Sequence, residues 1–205
     1  MVVAERGFSA SRHGGFHTAA EYLAWEDLAE EKSEYIHGII RARPGGTYHH
    51  GLVMVGLGCA FHQALHDSDY LNTICDLKVG VRDIIYYPEI CIFVEPLEFY
   101  EGNKTVITNP LLTAEVIAPK TEARDRGEKF RNYLSISSLQ VYLLISQNEP
   151  RVEMYSRSDS RHWSYLDVTG FDSVLEVPAL SVSVALSEIY CQVTFDDHAD
   201  NKQPA

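Results

Sequence analysis

The chain is poor in most features that would announce a function. Its four cysteines, Cys59, Cys75, Cys91 and Cys191, lie far apart and form no CxxC pair. That spacing excludes a zinc ribbon or a disulfide framework, and the four read as buried small apolar side chains in a reducing cytoplasm. No apolar run approaches the ~20 residues a membrane helix needs. Met1 to His17 contains no stretch like the apolar centre of a signal peptide. There is no GxSxG, no P-loop, no GxGxxG and no HExxH, so the hydrolases, nucleotide binders and metalloproteases that carry those motifs find no support. Positive charge is scarce as well. Lys and Arg number 17 against 29 Asp and Glu, for a net charge of -12. Phosphate binding is driven largely by Lys and Arg, so a nucleic-acid site here has to gather its few cations in one cleft. One local gathering exists, Lys120, Arg124, Arg126, Lys129 and Arg131. From charge alone, a solvated helix face is its simpler reading.

What is present is ordinary globular composition, 205 residues with 45% hydrophobic and 22% charged. That suffices for one domain with a hydrophobic core and is short for two. Residues 1–17, rich in Gly, Ser and Arg, read as a flexible N-terminal segment, residues 18–195 as a single domain, and residues 196–205 as a disordered acidic tail. Thr18-Ala-Ala-Glu21 has the pattern of a capping box, with a helix following to about Lys32. Tyr35 to Arg43 reads as a strand that stops at Pro44-Gly45-Gly46. His50 to His66 reads as a mostly buried helix. Asn72–Val81, Tyr86–Val94 and Leu111–Ala118 read as strands. A turn at Arg82-Asp83 separates the first two, and a loop from Glu95 to Asn109 separates the last two. Thr121 to Leu134 has a helical pattern with Phe130, Tyr133 and Leu134 on its inner side. Leu139–Ser146, Arg151–Arg157 and His162–Val168 read as further strands, and Leu186–Cys191 as a short closing helix. Helices flanking a mixed sheet is the α/β (α+β) arrangement this order predicts.

Two carboxylates stand out. Glu89, in Tyr86-Tyr87-Pro88-Glu89, and Glu115, in Thr113-Ala114-Glu115-Val116-Ile117, each interrupt an otherwise apolar strand. A carboxylate facing a core is costly unless it is paired, hydrogen-bonded or bound to metal. Two of them on neighbouring strands make a site for Mg²⁺ or Mn²⁺, since magnesium prefers oxygen and commonly uses one or two protein carboxylates. Lys129, in the following helix, is placed to reach such a site and to steady an attacking water. A plain structural reading stands beside this one: Glu89 follows a proline and suits an exposed edge, and alternation alone turns Ala114 and Val116 inward and Glu115 outward. His62 and His66 lie four apart on one helix but lack a third ligand, and a surface helix is their simpler reading. Asp125, four residues before Lys129, pairs with it most simply as a helix-face ion pair.

Several segments together resemble the large bacterial family of restriction endonucleases called the Uma type. They are EYLAWEDLAEEKSEYIHG (21–38), HHGLVMVGL (49–57), DLKVGVRDIIYYPEICIF (76–93), NPLLTAEVIAPKTEARDRGEKFRNYLSISSLQVYLLI (109–145) and VPALSVSVALSEIY (177–190). The fourth is the most specific. The resemblance implies a restriction-endonuclease-like fold of the PD-(D/E)XK superfamily, and hydrolysis of DNA phosphodiesters with a bound divalent metal. It implies that Glu89 and Glu115 are the metal carboxylates and that the lysine is displaced onto Lys129, because Ile117 occupies its ordinary position. It further implies Glu34 as an additional acidic residue and His50 as a helix-start or substrate-contact residue. Apart from the resemblance, whose members commonly have Ser at that position, Lys120 is an alternative catalytic lysine by its spacing, five residues after Glu115, with Pro119 turning it away. Glu89 stands where the family usually has Asp, which moves the carboxylate on the order of 1 Å. A cytoplasmic homodimer is the expected assembly, without a membrane. A non-catalytic module of the same fold and an RNA-directed nuclease are the alternatives.

Overall fold

The computed structural model describes residues 17–74, 76–101 and 103–195. The N-terminal segment up to residue 16, the acidic tail from residue 196, and Cys75 therefore lie outside the described residues. Thr18 caps α1 (Ala19–Glu26) by the expected box: its hydroxyl accepts from the Glu21 amide, and Glu21 returns to the Thr18 amide. The helix is shorter than its pattern predicted. It ends at Glu26, whose side chain turns to accept from the amide and hydroxyl of Ser33 and from the Tyr87 hydroxyl.

The expected strand over Tyr35–Arg43 is a hairpin, β1 (Ser33–Ile36) and β2 (Ile39–Ala42). Its two-residue turn, His37-Gly38, has positive φ at both positions (48° and 84°), the conformation whose twist matches paired antiparallel strands. Then come α2 (Tyr48–Ala64), β3 (Tyr70–Ile74), β4 (Lys78–Gly80), β5 (Ile84–Tyr86) and β6 (Ile90–Val94). Both long strands expected in this stretch are split between two sheets. Asn72–Val81 divides into β3 and β4, and Tyr86–Val94 divides into β5 and β6. The second division falls at Tyr87-Pro88-Glu89, where Pro88 has no amide to give to a ladder. The expected loop from Glu95 to Asn109 contains a further small hairpin, β7 (Phe99–Tyr100) and β8 (Asn103–Ile107).

β9 (Leu112–Ile117) follows, then a helical stretch made of α3 (Glu122–Arg124), a π turn (Asp125–Lys129) and α4 (Phe130–Leu134). β10 (Val141–Ser146) returns parallel to β9, and β11 (Arg151–Arg157) and β12 (Trp163–Thr169) continue antiparallel. A hairpin that the sequence pattern did not disclose, β13 (Val174–Val177) and β14 (Val182–Ala185), precedes α5 (Leu186–Ile189). One six-stranded sheet runs β2-β1-β5-β4-β8-β7 and the other β12-β11-β10-β9-β6-β3.

The central strands of the second sheet, β6, β9 and β10, are buried on both sides. Ile90, Ile92, Leu112, Ala114, Val116, Val141, Leu143 and Ile145 share an apolar core with α2, α5 and the β13–β14 hairpin. The alternate residues Cys91, Phe93, Ile117, Tyr142 and Leu144 share another with Val79, Ile84, Tyr86 and Tyr133. Each of these three strands feeds both cores, so its sequence reads as a nearly continuous apolar run. α1 covers the far side of the first sheet through Tyr22, Leu23, Tyr35 and Ile85. Of the cysteines, Cys91 is buried as expected, whereas Cys59 and Cys191 are exposed, because each falls on the outward side of a helix or of the turn that follows one. No helix among the described residues is long and apolar enough to cross a membrane.

Candidate active site

The two carboxylates meet because of strand register. β6 pairs antiparallel with β9 with Ile90 opposite Ala114, and the Glu89 amide donates to the Ala114 carbonyl at 3.1 Å. Glu89 stands just before β6 and is thereby carried beside Glu115 of β9. Their carboxyl groups are hydrogen-bonded to each other on one face of β9. That face is the one carrying Tyr142 and Leu144, not the apolar face of Ala114 and Val116. The outward, solvated reading of Glu115 therefore fails: it is only 2% exposed.

Lys129 enters the same space from the π turn. Its ammonium donates to Glu115 Oε1 at 2.9 Å and lies 3.2 Å from Glu34 Oε1 and 3.7 Å from Asp125 Oδ1. Single π turns inside α-helices are rare and recur at functional sites. This one is pinned from outside. The Arg126 guanidinium donates both Nη1 and Nη2 to Glu153 on β11, at 2.6 and 2.5 Å, and its Nε to Glu122 at 2.8 Å. From inside, the Tyr142 hydroxyl donates to the Asp125 carbonyl at 3.0 Å. The basic run expected to form a solvated face is instead largely consumed by carboxylates. Arg124 pairs with Glu34, Arg126 with Glu153, and Lys129 is buried. The pairing of Asp125 with Lys129 exists, but in the interior.

Glu34 arrives from β1 of the other sheet, so the cluster joins both sheets. His50 stands near the start of α2, whose N-cap is Thr47, with Nε2 3.5 Å from Glu89 Oε1. Lys120 is exposed on the rim of the cleft rather than inside it. His62 and His66 are exposed, as a surface helix requires. The residue that sequence reasoning missed is Arg43, just after β2, whose Nη2 donates to Glu89 Oε1 at 2.6 Å. Nothing in a lone arginine before Pro-Gly-Gly announces this. Asp125, 3% exposed, was seen only as a surface pair. Around these groups lies an open cleft of about 880 Å³, bounded by the Arg43–Thr47 segment on one side and Pro119–Thr121 on the other.

The electrostatics of the pair are asymmetric. Burial works to raise the Glu89 carboxyl, but hydrogen bonding to Glu115 and His50 and the charges of Lys129 and Arg43 outweigh it, so Glu89 is held below the ordinary carboxylate range. Burial pushes Glu115 well above that range. Lys129 opposes this, while the neighbouring Glu89 charge adds to it. Like charges at such a distance oppose each other's ionisation, which adds to the burial that raises Glu115. Burial would strip the proton from Lys129, but Glu115, Glu34, Glu89 and Asp125 together hold it on, above the usual lysine value.

Comparison with known proteins agrees with this architecture. The family model Uma2, described as "Putative restriction endonuclease", matches residues 19–187. The uncharacterized protein slr1290 of Synechocystis sp. is 34% identical over 177 residues, covering 85% of this chain and 92% of that one. The uncharacterized protein sll1609 of the same organism is 31% identical over 167 residues, covering 80% and 94%. A crystal structure of a putative nuclease belonging to DUF820 from Anabaena variabilis superposes with a TM-score of 0.68 at 17% identity, covering 85% of this chain and 98% of that one. At that identity the likeness shows the fold, which is restriction-endonuclease-like.

Proposed function

The chain belongs to the Uma2 family of putative restriction endonucleases, and from that premise we propose that its cleft hydrolyses phosphodiester bonds in DNA with a divalent metal, Mg²⁺ or Mn²⁺, held by Glu89 and Glu115. The observation that carries this reading is two buried carboxyls side by side, Glu89 just before β6 and Glu115 on β9, lining an open cleft with the buried Lys129 ammonium in contact with Glu115. The donor set suits the metal. Glu89 Oε2 is buried and receives no hydrogen bond from an amide, hydroxyl, ammonium or guanidinium group, which leaves it open to a hard cation. No group of three or more His, Cys, Asp or Glu converges as a cation cage among the described residues. Magnesium does not need one, because water and substrate phosphate commonly complete its shell.

A metal bound there would polarise the phosphate and lower the pKa of a bound water. The protein's own groups have separable tasks. Glu115, in the deprotonated state that a cation favours, and Glu89 hold and orient. Lys129 keeps its proton, so it acts as a fixed positive charge beside the reacting phosphate and a donor that positions water, not as a base. Glu34 and Asp125 hold that ammonium in place. The reading treats residues 18–195 as one domain acting in the cytoplasm, where the free thiols Cys59, Cys91 and Cys191 stay reduced. It also keeps the homodimer: the edge strand β12 exposes Tyr165 and Leu166, and a monomer in sedimentation at micromolar concentration would remove it.

A plasmid-nicking assay with Mg²⁺ or Mn²⁺, run beside Lys129→Ala, tests the activity. The expected result is metal-dependent nicking by the parent and none by the variant. Cleavage of RNA but not DNA in a substrate panel would replace the substrate. Failure to cleave either, together with no heat of metal binding in calorimetry, would leave a non-catalytic module of the same fold.

A further inference from the structure

Arg43 is the cation that sequence reasoning missed, and its position raises a conflict. Its guanidinium already occupies Glu89 Oε1 at 2.6 Å, one of the carboxylates that the reading above gives to a metal. Four buried carboxylates, Glu34, Glu89, Glu115 and Asp125, already face three cations, Arg43, Arg124 and Lys129. A divalent ion entering this cluster repels all three cations at short range in a poorly hydrated space. One of them has to give way.

The three are not equally free to move. Lys129 is buried and touches Glu115, Glu34 and Asp125. Arg124 spans Glu34 and Glu128. Arg43 is exposed to about the same degree as Arg124, 19% against 22% of the side chain, but is paired with a single carboxylate, Glu89, where Arg124 has two. It is followed by Pro44-Gly45-Gly46 at the cleft edge, and the space beside Gly45 is open. Its guanidinium sits about over the Tyr87 ring, 6.0 Å from the centroid, a platform on which a planar cation can turn. A guanidinium is built to grip two phosphate oxygens at once, which an ammonium is not.

We propose that Arg43 is a phosphate-binding residue parked on Glu89, which exchanges the carboxylate for a substrate phosphate oxygen when a divalent cation takes Glu89. The inference rests on the metal-site reading above and names the group that couples metal to substrate. Metal on Glu89 frees the guanidinium for phosphate, and phosphate on the guanidinium frees Glu89 for metal. By linkage each ligand tightens the other by the same factor. Without substrate the guanidinium screens Glu89, so the site holds metal weakly until a phosphodiester arrives.

Calorimetry of Mn²⁺ binding to the full chain, with and without a short phosphorothioate-linked oligodeoxythymidine that resists cleavage, tests this. The parent should bind Mn²⁺ weakly alone, and about tenfold more tightly with the oligonucleotide, an ordinary size for coupling between two ligands. Arg43→Ala should bind Mn²⁺ alone more tightly than the parent and gain nothing from the oligonucleotide. Arg43→Lys, which keeps the charge and drops the planar fork, should match the parent for Mn²⁺ alone and recover part of the coupling. Arg124→Ala removes a positive charge from the same cluster and should keep the coupling intact. The proposal is overturned if Arg43→Ala binds Mn²⁺ no better than the parent, if its coupling persists, or if Arg124→Ala loses the coupling equally. A parent that binds Mn²⁺ while Arg43→Ala behaves like it leaves the metal site standing and removes only Arg43. A parent that binds no Mn²⁺ removes both.

Discussion

The two faces of β9 make opposite use of the same strand. Leu112, Ala114 and Val116 point into a dry layer of aliphatic side chains beneath α2 and α5, while Glu115 points between tyrosines at four other ionisable groups, Glu34, Glu89, Asp125 and Lys129. On the first face every contact is non-directional, and stability rises with the area removed from water. On the second face, taking charges out of water is costly and is only partly offset by their attraction. The difference teaches where this protein invests stability in placement: the apolar face holds the strand, so that the other face can hold groups that would rather be solvated.

The largest effect should come from breaking the charged face. Lys129→Ala leaves Glu34 and Glu115 without their ammonium, and removing one partner of a buried pair costs about 3 kcal/mol or more. Urea denaturation should show that loss, and nicking should fall below detection. A variant that melts like the parent would mean that the charged face is as forgiving as a surface. Next comes the Glu89 pair of variants. Glu89→Gln removes the charge and should abolish nicking. Glu89→Asp should preserve or raise it, with Mn²⁺ serving better than Mg²⁺ in the parent, because magnesium tolerates imperfect octahedral geometry poorly. If Glu89→Gln cuts as well as the parent, Glu89 belongs to structure alone.

The apolar face should break differently. A Cβ added at Gly56 in α2 would lie 2.0 Å from the Ile189 carbonyl oxygen of α5. Gly56→Ala should therefore cost roughly 1–3 kcal/mol by overpacking, seen as a lower melting temperature. Mn²⁺ affinity at the opposite face should not change, and if it does, the two faces are not independent.

pH sharpens the comparison further. The folded Glu115 carboxyl lies well above its unfolded value of about 4.3, through burial first and the neighbouring Glu89 charge next. Its contribution to stability is then fully present below about pH 4.3 and is lost as pH rises toward the folded value. Glu115→Gln, which cannot ionise, should gain in melting temperature relative to the parent as pH rises through that window in EDTA. A constant difference across pH would show that Glu115 is ionised throughout. The smallest effect belongs to the exposed pair Arg151–Asp167, 2.8 Å apart with each side chain one-third exposed. Asp167→Ala should change stability by less than about 1 kcal/mol, and less again in high salt.

Much of the frame was legible before any coordinates. The capping box at Thr18 and Glu21 and the buried helix opening near His50 carry local signals, because their hydrogen bonds and apolar stripes are made within a few residues. The convergence of Glu89, Glu115 and Lys129 was legible through resemblance, since spacing alone left Glu115 free to face water. The divisions of 72–81 and 86–94 were not legible. Apolar alternation says which residues are buried, and it is silent on which of two sheets buries them. The β13–β14 hairpin was missed for a related reason: Val174 and Glu176 are exposed while Leu175 and Val177 are buried, a stretch too short to outweigh the loop-like residues before it.

By itself the sequence determined the chemistry available: two carboxylates in apolar strands, one lysine in the next helix, too few cations to coat a surface, and no motif of another enzyme class. Tertiary structure alone decided how those groups are used. The pairing of β6 with β9 brought Glu89 beside Glu115, the π turn braced by Arg126 and Glu153 carried Lys129 inward, and the β1–β2 hairpin brought Arg43 onto a glutamate 46 residues away. The physical reason is range. Caps and periodicities are settled by neighbours along the chain, whereas the state of a buried charge is settled by whichever opposite charge the fold places beside it.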